Sequence, residues 1–322
     1  MLACLAGCAA LQGPVPGAQS LAPDALLATI TVGRPPTLLA MNPDGARVVA
    51  ASSGTLSIID ARTETVTATV PIPPYTQGVA VTPDGSHVLV SSLSGTQLVV
   101  VEAATGGLAP PVALMVEIPP GGFGRIAVSP DGRTAWVTNQ PREYLAAADL
   151  TARRSVRSPL DLRPTDVTLG GDGRTLYVTG CKQFCTTGTV ELIDTASQNT
   201  LRSFSVGPGP YRFALSPDGT RAYTTNLGGP SLSVVDVASG RVQATVPVGT
   251  EPTGLAVSPD GARIYVASQQ SGTLTIVDGA TNTVAATVAL PSEPREVVVA
   301  PDGRRAYVST RAGVLVLDAE RL

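Results

Sequence analysis

The chain has 322 residues, 43% of them hydrophobic, with 22 Lys and Arg against 25 Asp and Glu and a formal charge of −3. Its 33 Gly and 28 Pro exceed the usual share of roughly 12%, yet they follow no G-X-Y period, which excludes collagen-like and low-complexity chains. Lys182 is the only lysine and the balance is slightly acidic, so there is no basic face to track a phosphate backbone and no nucleic-acid partner is expected.

The uncharged stretch 1–23 is broken by Gly13, Pro14, Pro16 and Gly17 and does not suit a membrane-spanning helix. Within it, Leu5-Ala6-Gly7-Cys8 resembles the bacterial lipobox, in which small residues before a cysteine admit a signal peptidase and the new terminal Cys carries lipid. Few residues and no Lys or Arg precede Cys8, so the expectation is that residues 1–7 are the remnant of a signal whose start lies upstream. Residues 8–25, rich in Gly, Pro and Ala, then read as a flexible tether. Acylation at Cys8 would anchor the protein to a membrane, stably if more than one chain is attached.

From residue 26 onward a repeat organises the chain, and such a period decides the fold. Leu26-Leu27-Ala28-Thr29-Ile30-Thr31-Val32 is an isolated β-rich run. Pro-Asp-Gly then recurs at Pro43, Pro83, Pro130, Pro217, Pro259 and Pro301, with Gly171-Asp172-Gly173 in the one wide gap. Seven copies result, about 43 residues apart. Each has an apolar alternation before the turn, such as Leu255-Ala256-Val257. A β-rich run follows (Arg263-Ile264-Tyr265-Val266), then a third ending in an acid (Leu274-Thr275-Ile276-Val277-Asp278), then a fourth (Thr283-Val284-Ala285-Ala286-Thr287-Val288). Short alternating runs punctuated by Asp-Gly turns are antiparallel strands joined by hairpins. Four strands in each of seven repeats predict an all-β, seven-bladed β-propeller over residues 26–322. The last copy has room for only two strands after its turn, so residues 26–32 are expected to pair with 313–318 and complete the seventh blade.

Five second strands carry an aromatic residue: Trp136-Val137-Thr138-Asn139, Tyr177-Val178-Thr179-Gly180, Tyr223-Thr224-Thr225-Asn226, Tyr265-Val266-Ala267-Ser268 and Tyr307-Val308-Ser309-Thr310. The unit resembles the YVTN family of β-propeller repeats, which includes YncE-like proteins. That resemblance implies an extracytoplasmic protein of the cell envelope, lipid-anchored or periplasmic, and says little about activity, because propellers host many functions.

With Cys8 acylated and Cys4 lost with the signal, Cys181 and Cys185 remain, in an enlarged hairpin of the fourth repeat. Export favours a disulfide between them, and their spacing is not the Cys-x-x-Cys of redox motifs.

Most acids have structural work. Seven turn acids (Asp44, Asp84, Asp131, Asp172, Asp218, Asp260, Asp302) and seven at third-strand ends (Asp60, Glu102, Asp149, Asp194, Asp236, Asp278, Asp318) are expected to accept backbone N–H bonds. His87, the only histidine, occupies the register held by Arg47, Arg221, Arg263 and Arg305 in other copies, beside a hairpin and solvated. One histidine supports neither a His-rich metal site nor a Ser-His-Asp triad, so no metal and no cofactor is expected. Arg153, Arg154 and Arg157 form a basic cluster on the outer strand of blade three, read as an edge guarded by charge.

The informative register lies at the start of each innermost strand, five residues before the turn. Around the ring it reads Leu38, Gly78, Arg125, Asp166, Arg212, Gly254 and Glu296, with Gln77, Thr165, Tyr211 and Arg295 beside it. Gln77, Arg125, Asp166, Tyr211, Arg212, Arg295 and Glu296 thus converge on one axial rim. Two readings follow: a polar pocket for a small anionic or carbohydrate-like ligand or a peptide, or charges that only neutralise one another. The leading function is a monomeric binding or scaffold protein offering this rim to a small ligand or an envelope protein. The alternative, resembling lactonase-like propellers, is an enzyme acting on a small acid or lactone in the axial channel.

Overall fold

The computed structural model describes residues 17–94, 96–113, 124–182 and 185–322. Seven antiparallel sheets follow one another along the chain in sequence order. Blade one comprises Leu38–Met41, Arg47–Ser52, Thr55–Asp60 and Thr65–Pro71, and the remaining blades repeat this plan. The innermost strand of each blade packs against that of the next, and Pro294–Val299 of blade seven packs against Leu38–Met41, so the ring closes.

Closure uses both ends of the chain. Leu26–Ile30 pairs antiparallel with Gly313–Asp318, matching Leu26 to Leu317 and Ile30 to Val314, and so supplies the outer strand of blade seven. Residues 19 and 20 add a two-residue strand parallel to Thr283–Ala289, the outer strand of blade six. Leu21 packs on the core between blades six and seven, and Ala25 is fully buried. Of the expected tether over 8–25, residues 19–21 and Ala25 are therefore held against the propeller. Cys4 and Cys8, with the whole of 1–7, lie outside the described residues.

The core is divided into seven apolar clusters, each filling the interface between successive blades, including that between seven and one. Second strands are buried on both faces, hence their near-continuous apolar runs. Tyr223, Tyr265 and Tyr307 are 1% exposed, each inserted against the following blade. In the seven turns the glycine has φ between 67° and 73°, a left-handed conformation that Gly adopts without penalty. The aspartates behave as their register implies, Asp218 accepting from the Thr220 N–H at 3.0 Å and Asp278 from that of Thr281 at 2.7 Å, whereas Glu102 accepts instead from the Thr105 hydroxyl at 2.8 Å. Each aspartate thereby occupies a backbone donor that the turn would leave unpaired.

Candidate functional site

The axial rim lies at the end of the ring where innermost strands begin and second-to-third-strand hairpins turn. The repeat fixes its residues identically. The backbone N–H groups of Arg125, Arg212 and Glu296 each donate to the hydroxyl thirteen residues on, Thr138, Thr225 and Ser309, at 2.9, 3.1 and 3.0 Å. Gly78 and Gly254, at the same register, admit close neighbours: a Cβ on Gly254 would lie 2.8 Å from the Arg295 carbonyl oxygen.

The four charged members meet. Arg125 Nη1 is 3.4 Å from Glu296 Oε2, Arg212 Nη1 is 3.8 Å from Asp166 Oδ2, and Arg212 Nη2 also bonds Glu296. Asp166 is further held by the N–H groups of Val167 and Phe213, both at 2.9 Å. Asp166, Arg212 and Glu296 are no more than 8% exposed. Such a buried network is tolerated because each charge faces an opposite one. Burial first, and then Arg125, lower the Arg212 pKa from its ordinary value, while Asp166 and Tyr211 oppose the change. The Tyr211 ring lies 6.0 Å from the guanidinium carbons of both Arg125 and Arg212. Burial pushes the Tyr211 phenol up, but the two guanidiniums outweigh it and its net shift is downward.

Two cavities open above this network and share Gln77, Arg125 and Tyr211. One, of about 280 Å³, is walled by Thr138, Thr165 and the Cys181–Cys185 disulfide. The other, of about 260 Å³, adds Tyr75, Gln269, Arg295 and Glu296. Five of the seven rim residues expected from the sequence thus line open space. Asp166 and Arg212 line neither cavity and lie beneath, where they position Glu296 and Tyr211. Among the described residues, no three His, Cys, Asp or Glu side chains are grouped to hold a metal ion.

Sequence reasoning missed Tyr75, which is 64% exposed with φ of 56°. Its backbone repeats that of Gly209 and Glu251, also left-handed and also immediately before an innermost strand. An aromatic residue in this conformation is costly by roughly 1–2 kcal/mol, and alignment of those three positions was the available signal. His87 also departs from expectation: it is half-buried, its Nδ1 lies 2.7 Å from Ser86 Oγ, and it faces a third cavity at the opposite end of the ring.

No protein-family model matches the chain, and no curated protein sequence matches it. Among solved structures it is similar to hydrazine synthase of Kuenenia stuttgartiensis, at 21% identity and a TM-score of 0.78 over 89% of this chain and 97% of that one. It is also similar to the Cps50 (Swd1) β-propeller domain of Myceliophteria thermophila, at 14% identity and a TM-score of 0.76 over 92% and 99%. Identities this low establish the seven-bladed propeller and leave function to the site.

Proposed function

We propose that this chain is a recognition protein of the bacterial cell envelope, anchored through lipid at Cys8, whose rim holds a small acidic ligand or an acidic group of an envelope partner. One observation carries the reading: the rim pairs two guanidiniums, Arg125 and Arg212, with two carboxylates, Asp166 and Glu296, and a third arginine, Arg295, lines the same cavity as Arg125 and Glu296. Both carboxylates are engaged by Arg125 and Arg212, and Arg295 forms no ion pair among the described residues. A ligand carboxylate would complete the charge balance, with Gln77 and the cavity hydroxyls available to orient it. The location rests on the likeness to YVTN repeats, the Leu5-Ala6-Gly7-Cys8 box and the disulfide, which belongs in an oxidising compartment.

Calorimetry with glucuronate and with neutral glucose tests the rim. Glucuronate should bind and glucose should not. Arg295→Ala or Arg125→Ala should weaken glucuronate about tenfold or more, the loss of one charge-assisted hydrogen bond. Equal binding of both sugars, or an unchanged Arg295→Ala, contradicts the reading. Mass spectrometry of the native protein tests the anchor, and an unmodified peptide across Cys8 refutes it.

The lowered phenol of Tyr211 favours a second reading, lactonase-like chemistry, because a tyrosine held between guanidiniums gives up its proton more readily. Turnover of a small lactone that Tyr211→Phe abolishes would establish it.

A further inference from the structure

At the end of the ring opposite the rim, three blade interfaces are clamped by an arginine that begins a second strand. Arg221 of blade five donates to the carbonyl of Gly279 in blade six, Arg263 to that of Ala319 in blade seven, and Arg305 to that of Ala61 in blade one, the last at 2.8 Å. Each accepting residue immediately follows the acid that ends a third strand. Each arginine also acts on the buried tyrosine two residues on, Tyr223, Tyr265 or Tyr307, lowering a phenol pKa that burial raises. A guanidinium, an aromatic ring and a carbonyl thus fill one slot per interface.

Between blades two and three both donor residues are replaced. His87 stands at the arginine position and Leu89 at the tyrosine position, while the carbonyl position belongs to Leu150, which follows Asp149. A cavity of about 340 Å³ occupies this place, lined by His87, Leu89 and Leu150, with Val100 beside them. Asp84 and Asp131 lie at its edge, and their carboxyls are held below the usual range, first by hydrogen bonds from Thr82 and Ser129 respectively, so both are charged at neutral pH. Arg133 and Arg153 also border it. Arg153 holds the position that Glu64 has at the interface of blades seven and one, where Glu64 pairs with Arg305 at 3.4 Å.

We propose that this cavity is a docking slot for an arginine side chain supplied by a partner polypeptide. The carbonyl of Leu150 accepts from the guanidinium, as those of Gly279, Ala319 and Ala61 do from Arg221, Arg263 and Arg305, and the Asp84 and Asp131 carboxylates at the edge supply opposite charge. Leu89, Val100 and Leu150 cover the methylene stem, which arginine buries readily. Arg133 and Arg153 select a partner whose arginine is flanked by acidic residues. Lysine fits less well, because it is a strongly hydrated point charge and lacks the planar fork. The proposal is independent of any ligand at the rim.

The test is calorimetric titration of the full chain with the capped tripeptide Asp-Arg-Asp, beside versions carrying lysine or citrulline in place of arginine. Saturable binding of the arginine peptide is expected, about tenfold or more weaker with either substitute. His87→Arg should close the slot from within, abolishing binding while raising the melting temperature, so that loss of affinity is not loss of fold. His87→Ala, which leaves the slot open, should retain binding. Absence of saturable binding, equal affinity for the citrulline peptide, or binding that survives His87→Arg overturns the proposal. So does binding of inorganic phosphate that Arg153→Ala abolishes, which would make the cavity an anion site.

Discussion

Glu191 sits in the third strand of blade four, Gly188–Asp194, only 4% exposed and without an ion pair among the described residues. Burial raises its pKa above 4.5, Asp161 adds to the rise, and Lys182 opposes it. An acid whose folded pKa exceeds its unfolded value favours the fold while protonated. That contribution is lost as pH climbs from the unfolded value through the folded one. Glu191→Gln should therefore melt at a higher temperature than the wild type at pH 7.5, with the gain shrinking as pH falls toward 4.5. The turn acids behave oppositely. Hydrogen bonds from Thr82 and Ser216 lead those that hold Asp84 and Asp218 at about 2. Their contribution is present above 3.8 and is lost as pH falls through about 2. Carboxyl NMR titration of Asp218 with a midpoint near 4 would contradict this assignment.

At the scale of strands and hairpins, what could be read from the sequence was whatever the repeat dictates. The Pro-Asp-Gly turns, the capping aspartates and the converging charges follow from register alone, because equivalent positions meet equivalent neighbours. The particular pairings did not follow. Arg125 and Glu296 are joined across 171 positions of sequence, and which carboxylate each arginine reaches depends on side-chain reach across the channel. The strand at Gln19–Ser20 escaped because two residues carry no periodicity and its parallel partner lies in blade six. The enlarged hairpin of blade four was visible by its length, and its disulfide walls the larger rim cavity. Closing so short a loop constrains the unfolded chain little, stabilising by about 2 kcal/mol. Replacing Cys181 and Cys185 by serine should lower the melting temperature by only a few degrees while weakening any rim ligand. A large loss of stability with unchanged rim affinity would reverse the roles given to this loop.

For the molecule as a whole, stability resides in seven interfaces rather than in seven sheets. Each apolar cluster is shared by two blades, so no blade buries its faces alone, and the weakest link of a ring is where its ends join. That joint is blade seven, whose outer strand Leu26–Ile30 is held to Gly313–Asp318 by strand pairing and by Ile30, which is 5% exposed in the cluster shared with blade one. Asp24 and Arg321 form an ion pair beside it, and the Asp318 N–H donates to the Ala25 carbonyl at 2.8 Å. Of the described structure, removing residues 1–20 takes away the two-residue parallel strand and spares the joint, and should leave the melting temperature nearly unchanged. Removing residues 1–33 takes away the joint, uncovers Val314 and Val316, and leaves Gly313–Asp318 as an unpaired edge. Such an edge recruits another strand, so the longer truncation should melt far below the intact chain and self-associate in sedimentation. Calorimetry distinguishes this from independent blades: the intact ring should unfold in one transition, and a longer truncation that stays monomeric with an unaltered melting profile would mean that closure contributes nothing.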